Sequence, residues 1–297
     1  MKVKHIGACV TASALVVLSL PTAFATSSAE PLKPLANIPV ALKDGLPTTE
    51  VRIAGRPVKL FLDLGGFQAI TLTSEQLETA SVRFVDRFEE YRNAYGGAFK
   101  ARSFVARDVN VGGASLGDIE GGEIVFTEGH APPVKTGYLG MRLLGRFLLV
   151  LDYPSRYVRL YASGNHQAFA RECGQQSFQV LTVNEVAQSV VFTEYGKLLF
   201  EWDTGATHDF IRPSRQRPEM RRGDGSLPGT TLRKFVLGRH DYGPLRFNVL
   251  DFSAPAVDGI LGTDFLETRK VCLDIKQGKG AIAVPDLSFG QKKSIAR

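Results

Sequence analysis

From about residue 38 onward the chain is built from short apolar runs, many alternating with polar residues, a pattern that predicts strands rather than helices. Residues 51–53, a turn at 54–56 and residues 58–62 read as a hairpin that delivers Asp63 at a strand end. Residues 74–80 read as a short helix, with Ser74 as N-cap and Leu77 pointing inward. Residues 91–111 alternate around Gly96-Gly97 and predict a long hairpin. One helical turn at 143–147 precedes a further hairpin, 148–152 with 157–161, closed around Pro154 and Ser155. Periodicity fades over 163–177. Strands then fall near 178–183, 188–193, 197–202, 232–237, 245–251, 271–275 and 280–284, with an extended Pro-, Gly- and Arg-rich loop over 212–230. Helix is scarce, and the fold class expected is all-β.

The pattern also repeats. Val58-Lys59-Leu60-Phe61-Leu62 runs into Asp63-Leu64-Gly65-Gly66, followed by Gly137-Tyr138-Leu139-Gly140 and then by Leu148-Leu149-Val150-Leu151-Asp152-Tyr153. Leu198-Leu199-Phe200-Glu201-Trp202 runs into Asp203-Thr204-Gly205-Ala206, followed by Gly259-Ile260-Leu261-Gly262 and Val271-Cys272-Leu273-Asp274-Ile275. The two aspartates are 140 residues apart, close to a domain length and far beyond a solenoid period, so duplication of a domain is the reading. Asp63 lies 77 residues before Gly140, whereas Asp203 lies only 59 before Gly262.

Composition suits one or two globular domains: 297 residues, 44% of them hydrophobic. The start reads as a secretory signal peptide over 1–25, with basic Lys2 and Lys4, an apolar run and the small-x-small string Ala23-Phe24-Ala25. That run is shorter than the ~20 residues a bilayer span needs. The expectation is an exported protein, periplasmic or secreted, with no membrane span once the signal is removed. Loss of Lys2 and Lys4 lowers the formal net charge from +6 to about +4. Arg212, Arg215, Arg217, Arg221 and Arg222 cluster, but without aromatic interleaving or a nucleic-acid fold signature, so no nucleic-acid partner is expected. Export leaves Cys173 and Cys272, an even pair that favours a disulfide, with two separate buried thiols as the alternative.

The Asp203-Thr204-Gly205-Ala206 string together with Gly259-Ile260-Leu261-Gly262 resembles the retropepsin/pepsin-like aspartic proteases. The stretch from Gly137 to Pro154 looks like the end of a bacterial retropepsin-like domain. The resemblance covers roughly residues 37–285 and implies a bilobal acid-protease fold with two pseudo-symmetric, barrel-like lobes. The implied organisation is a signal peptide (1–25), a flexible lead-in (26–36), a first lobe (37–165), a linker (166–177), a second lobe (178–286) and a tail (287–297). The shorter second spacing falls where the family carries its flap, so a reduced flap is expected there.

The resemblance makes Asp63 and Asp203 the catalytic pair and Gly65, Thr204 and Gly205 the supporting loops. It makes the hairpin of 91–111 the flap, with Tyr91 or Tyr95 near the substrate or simply packed on the sheet. Peptide hydrolysis without a covalent nucleophile needs one group to take a proton from water and another to give one to the carbonyl oxygen. Two close carboxylates do both, because repulsion splits their pKa values. No cofactor or metal is implied, the partner is a peptide or protein substrate, and two lobes in one chain make a monomer sufficient. Leu64 has no hydroxyl where the family carries Thr or Ser, so one side of the inter-lobe hydrogen-bond pair should be absent and the group opposite should lose its partner. The alternative reading is therefore a protein of the same fold that binds peptides or envelope components without cleaving them. Glu201 is a further oddity in an apolar strand. A Ser/His/Asp site is disfavoured: no Gly-x-Ser-x-Gly occurs, and His208 reads as a surface residue. Asp152 and Asp274 read as turn-forming residues at equivalent strand ends.

Overall fold

The computed structural model describes residues 32–92, 98–124, 136–174, 176–213, 228–252 and 256–283. Of residues 91, 92, 98 and 99 it describes the backbone alone. The segments expected to be the signal peptide, most of the lead-in and the tail lie outside the described residues. No described helix is long and apolar enough to cross a membrane.

Among the described residues three sheets carry the fold. The first lobe holds eight strands, ordered Thr71–Thr73, Ala114–Ile124, Ala98–Val111, Leu46–Ile53, Arg56–Asp63 and Tyr138–Gly140, with Ala41–Lys43 and Val82–Arg92 attached at the side. The second lobe holds nine, in which Val186–Thr193, Gly196–Trp202 and Gly259–Leu261 repeat the pairing of Leu46–Ile53, Arg56–Asp63 and Tyr138–Gly140. In each lobe an antiparallel hairpin leads into the aspartate, and its second strand runs parallel to the apolar-Gly strand.

The third sheet joins the two lobes. Phe147–Asp152 and Tyr157–Ala162 from the first repeat join Lys270–Asp274 and Lys279–Ile282 from the second in one six-stranded antiparallel sheet. Its central pairing runs from Leu148 opposite Asp274 to Asp152 opposite Lys270, symmetric about Val150 and Cys272. These strands are apolar on both faces and nearly wholly buried, the pattern of a sheet covered on each side. Ala36–Pro39 forms one edge, and Leu35 just before it donates its N–H to Leu160.

The linker is also more ordered than its weak periodicity implied. Residues 166–173 form a helix, His166–Cys173, capped by Asn165 accepting the Ala168 N–H. Ala168, Phe169 and Cys173 face inward, and Cys173 is disulfide-bonded to Cys272, with Cα atoms 6.1 Å apart. The bridge ties this helix to the shared sheet, resolving the open alternative for the cysteines. The short helix near 74 is Ser74–Thr79; Thr73 rather than Ser74 is the N-cap, in a reciprocal capping box with Gln76. The one-turn helix is Met141–Leu144, directly after the apolar-Gly strand.

The long hairpin of the first lobe pairs Val82–Arg92 with Ala98–Val111. Its tip, 93–97, lies outside the described residues, as do residues 214–227 of the Arg-rich loop. The described second-lobe strands between Trp202 and Gly259 are only two to five residues long, in keeping with a reduced flap.

Candidate active site

Asp63 and Asp203 end equivalent strands, and the structure brings them together at the junction of the lobes. Their carboxyls hydrogen-bond to each other. Asp63 Oδ1 accepts the Gly66 N–H at 2.8 Å, and Asp203 Oδ1 accepts the Gly205 N–H at 2.7 Å. The two loops are reciprocal. A Cβ on Gly65 would lie 2.5 Å from the Asp203 carboxyl, and one on Gly205 would lie 2.5 Å from the Asp63 carboxyl. Neither carboxyl could approach the opposite backbone past a side chain, so the glycine of each Asp-x-Gly is a condition of the pairing.

The apolar-Gly strand fixes each loop from behind. Gly66 C=O accepts from Met141 N–H, and Ala206 C=O accepts from Thr263 N–H. A Cβ on Gly140 would stand 2.4 Å from the Gly66 carbonyl oxygen, and one on Gly262 would stand 2.7 Å from that of Ala206. This close approach explains why the motif is repeated as a unit rather than as an isolated Asp-x-Gly. The second copy has an additional strut that the sequence reading missed: buried Asp209 accepts the N–H groups of Gly262 and Phe265. Burial pushes its carboxyl up to about 8, against those bonds.

Thr204 corrects the expectation about Leu64. Its hydroxyl accepts the Leu64 N–H at 2.9 Å and donates to the Leu62 carbonyl at 2.8 Å, both across the lobe junction and both buried. The partners of Thr204 are main-chain groups, so the Leu64 side chain deprives it of nothing. Leu64 itself is buried in the principal apolar core. What is absent is the mirror-image pair of bonds that a hydroxyl at position 64 would make.

Desolvation raises the proton affinity of both aspartates. Asp63 is held well above the usual carboxylate range, by burial first and by the Asp203 charge second, with Gly66 opposing. Asp203 is raised by burial and pulled back by the Gly205 N–H and by the bond from Asp63. Both shifts favour one proton held between the two carboxyls, and its titration belongs to the pair rather than to either residue.

Two further polar groups stand close enough to be perturbed by the pair. Tyr153 is buried, and its hydroxyl has no hydrogen-bond partner among the described residues; burial and the charges of Asp203 and Asp63 keep it protonated. Glu201, 3% exposed, is raised well above its ordinary range by burial, then Asp203, then Asp63. The sequence marked Glu201 as odd but gave no sign of Tyr153.

The remaining candidates sort simply. Tyr91 lies in the first strand of the long hairpin, its backbone opposite Phe99. Its side chain and all of Tyr95 lie outside the described residues. His208 is exposed and pairs with Asp264 at 3.2 Å. Asp152 accepts from Ser155 N–H and Arg159, and Asp274 from Ser163 Oγ and the Gly164 N–H, so both are turn-forming residues.

Two lobes on a shared sheet, with one Asp-x-Gly loop from each meeting at their junction, define a bilobal, all-β, pepsin-like fold. Solved structures of that fold align over nearly the whole chain. An aspartic proteinase from Irpex lacteus matches at TM-score 0.57 and 11% identity, covering 86% of this chain and 98% of its own. Basic 7S globulin from soybean matches at TM-score 0.54 and 10% identity, covering 84% and 94%. No family model and no curated protein sequence matches the chain.

Proposed function

We propose that this protein is an exported aspartic endopeptidase that hydrolyses peptide bonds with water activated by Asp63 and Asp203. The observation that carries the reading is the hydrogen-bonded pair of carboxyls, each seated against the glycine of the opposite loop. Asp203, as carboxylate, takes a proton from water while the water oxygen bonds to the peptide carbonyl carbon; Asp63 gives its proton to the carbonyl oxygen. In the tetrahedral species that results, the amide nitrogen gains a proton from the dyad and the C–N bond breaks, returning one shared proton to the pair. Each aspartate serves once as acid and once as base, which requires opposite protonation at the start. Holding the two groups on loops braced by Gly140, Gly262 and Thr204 supplies the fixed geometry on which such a rate depends.

The substrate is an extended peptide lying between the lobes under the hairpin of Val82–Arg92 and Ala98–Val111, and the working unit is a monomer. Export follows from the leader at 1–25, and the Cys173–Cys272 bridge supports it, since disulfides persist in oxidising compartments. N-terminal sequencing of envelope-fraction protein tests this: a mature start at Thr26 is expected, and a chain still starting at Met1 contradicts it. For the chemistry, kcat/KM against pH is expected to be bell-shaped, its two limbs belonging to the coupled pair. A flat profile contradicts the dyad.

A second reading, a peptide-binding protein that does not cleave, draws on one observation: Leu64 supplies no hydroxyl, so half of the cross-lobe bracing is absent. Peptide binding without turnover over the whole pH range would select it.

A further inference from the structure

Hydrolysis uses Asp63 and Asp203 and leaves Glu201 without a task. Its position is set by the period of two along its strand. Phe200 and Trp202 enter the principal core, whereas Leu199 joins a separate small cluster with Ile260, Val257 and Phe252. Glu201 shares the face of Leu199 and Asp203, so it stands between an apolar wall and the charged aspartate.

The equivalent face of the first lobe shows what is unusual. There Leu60 and Leu62 enter the core, and Phe61 joins Leu46 and Tyr138 in its own small cluster beside Asp63. Phe61 and Tyr138 rings meet at 5.6 Å. Register makes Glu201 the counterpart of Phe61 and Ile260 that of Tyr138. One wall beside the dyad is aromatic, and the other carries a carboxyl.

That carboxyl has a polar neighbour. Gln188 lies directly opposite Glu201 on the adjacent strand, so their Cβ atoms are ~4.5–5.5 Å apart on one face. Gln188 is 2% exposed, and its Oε1 has no hydrogen-bond partner among the described residues. An unmet buried acceptor is costly and persists in native folds for a reason. Burial, then Asp203, then Asp63 raise the proton affinity of Glu201. Gln188 Oε1 is thus a buried acceptor without a donor among the described residues, beside a carboxyl.

We propose that Gln188 and Glu201 form the floor of a subsite on the second-lobe side of the cleft that takes a basic side chain, lysine or arginine, of the peptide next to the scissile bond. This rests on the peptidase reading for its use and on the Gln188–Glu201 pair for its chemistry. A cationic donor supplies the hydrogen bond that Gln188 Oε1 lacks, and it stabilises Glu201 as a carboxylate. A leucine in the same place would leave Gln188 Oε1 unmet and Glu201 without a counter-charge, which is the costly case. The titratable groups that act on Glu201 are Asp203 and Asp63; Gln188 and Ile260, its neighbours on the two adjoining strands, carry no charge. At low pH Glu201 stays protonated and the preference is small. It grows as pH rises and the bound cation draws Glu201 into its charged form.

The test is a set of otherwise identical peptides carrying Lys, Gln or Leu at each position flanking the cleavage site, offered to the full mature chain. Both kcat/KM and Kd by fluorescence anisotropy are measured between pH 4 and 7.5. The Lys-to-Leu ratio at one flanking position is expected to be tenfold or more at neutral pH and to fall toward unity at pH 4. Glu201→Gln, which keeps the shape and removes the charge, should abolish the ratio and its pH dependence; Gln188→Leu should reduce it. A Lys-to-Leu ratio unchanged by Glu201→Gln, or a stronger preference for Gln than for Lys, overturns the subsite. If no peptide is cleaved, only the peptidase reading fails, because the Kd ratios still decide between a basic subsite and none.

Discussion

Thr204 and Leu64 meet across the lobe junction through a single hydroxyl, which accepts the Leu64 N–H at 2.9 Å and passes its own proton to the Leu62 carbonyl. The loop carrying Asp63 is thus held by the loop carrying Asp203. Removing the hydroxyl leaves two buried main-chain groups unmet. Thr204→Val is therefore expected to lower stability by ~1–3 kcal/mol and to reduce turnover, whereas Thr204→Ser keeps both. Urea titration and peptide hydrolysis of the two variants check this; equal behaviour of Val and Ser would remove the bracing role.

Leu64→Thr probes the missing half of the same arrangement. Leu64 is 1% exposed in the apolar core, so the smaller, polar side chain should cost about 2 kcal/mol or more of stability. The added hydroxyl should at the same time raise kcat per folded molecule by completing the mirror-image bonds. Thermal unfolding and active-fraction kinetics separate the two effects. A rise in stability with no gain in rate contradicts both halves of the prediction.

Asp209 gives the fold a pH dependence whose sign is fixed. Its carboxyl titrates at about 8 when folded, against an ordinary value of 3.8, so the folded state holds the proton more tightly than the unfolded chain does. The associated stabilisation is complete below about pH 4 and is lost as pH rises through about 8. Asp209→Asn keeps an oxygen for the Gly262 and Phe265 N–H groups and removes the titration. Denaturation midpoints from pH 4 to 9 are expected to fall less steeply for the variant and to favour it at pH 8. Parallel curves would contradict the assignment.

The Cys173–Cys272 bridge links residues 99 apart in sequence and anchors the helix His166–Cys173 to the shared sheet. In the chain-entropy picture, closing so long a loop stabilises by about 2–5 kcal/mol. Replacing both cysteines with alanine should lower stability by that amount without moving the dyad. Peptide mapping of the unreduced chain should show the two segments linked; separate free thiols would contradict the pairing.

Much of this was legible in the residue pattern, because strands that alternate and motifs that repeat are local signals. The hairpin ending at Asp63, its copy ending at Asp203 and the apolar-Gly strands behind them all read directly. The shared sheet did not, because residues 148–152 and 271–275 look like ordinary lobe strands, and nothing local states that Val150 pairs with Cys272. The helix at 166–173 was missed because its inward face is carried by Ala168, Phe169 and Cys173 alone, too sparse a stripe to stand out. Tyr153 and Gln188 acquire meaning only from what lies across from them. Leu64 misled for the same reason: its side chain was legible, but the main-chain bonds of Thr204 that make it tolerable were not.

The most direct measurement is digestion of a mixed peptide library across pH by the mature chain, by Asp63→Asn and by Asp203→Asn, with products read by mass spectrometry. The paired-carboxyl account predicts cleavage by the native chain and its loss, by several orders of magnitude, in each variant, since neither aspartate alone serves as both acid and base. Loss with Asp203→Asn alone would make Asp63 a bystander. Undiminished cleavage by both variants, or none by the native chain at any pH, would contradict the aspartic peptidase assignment.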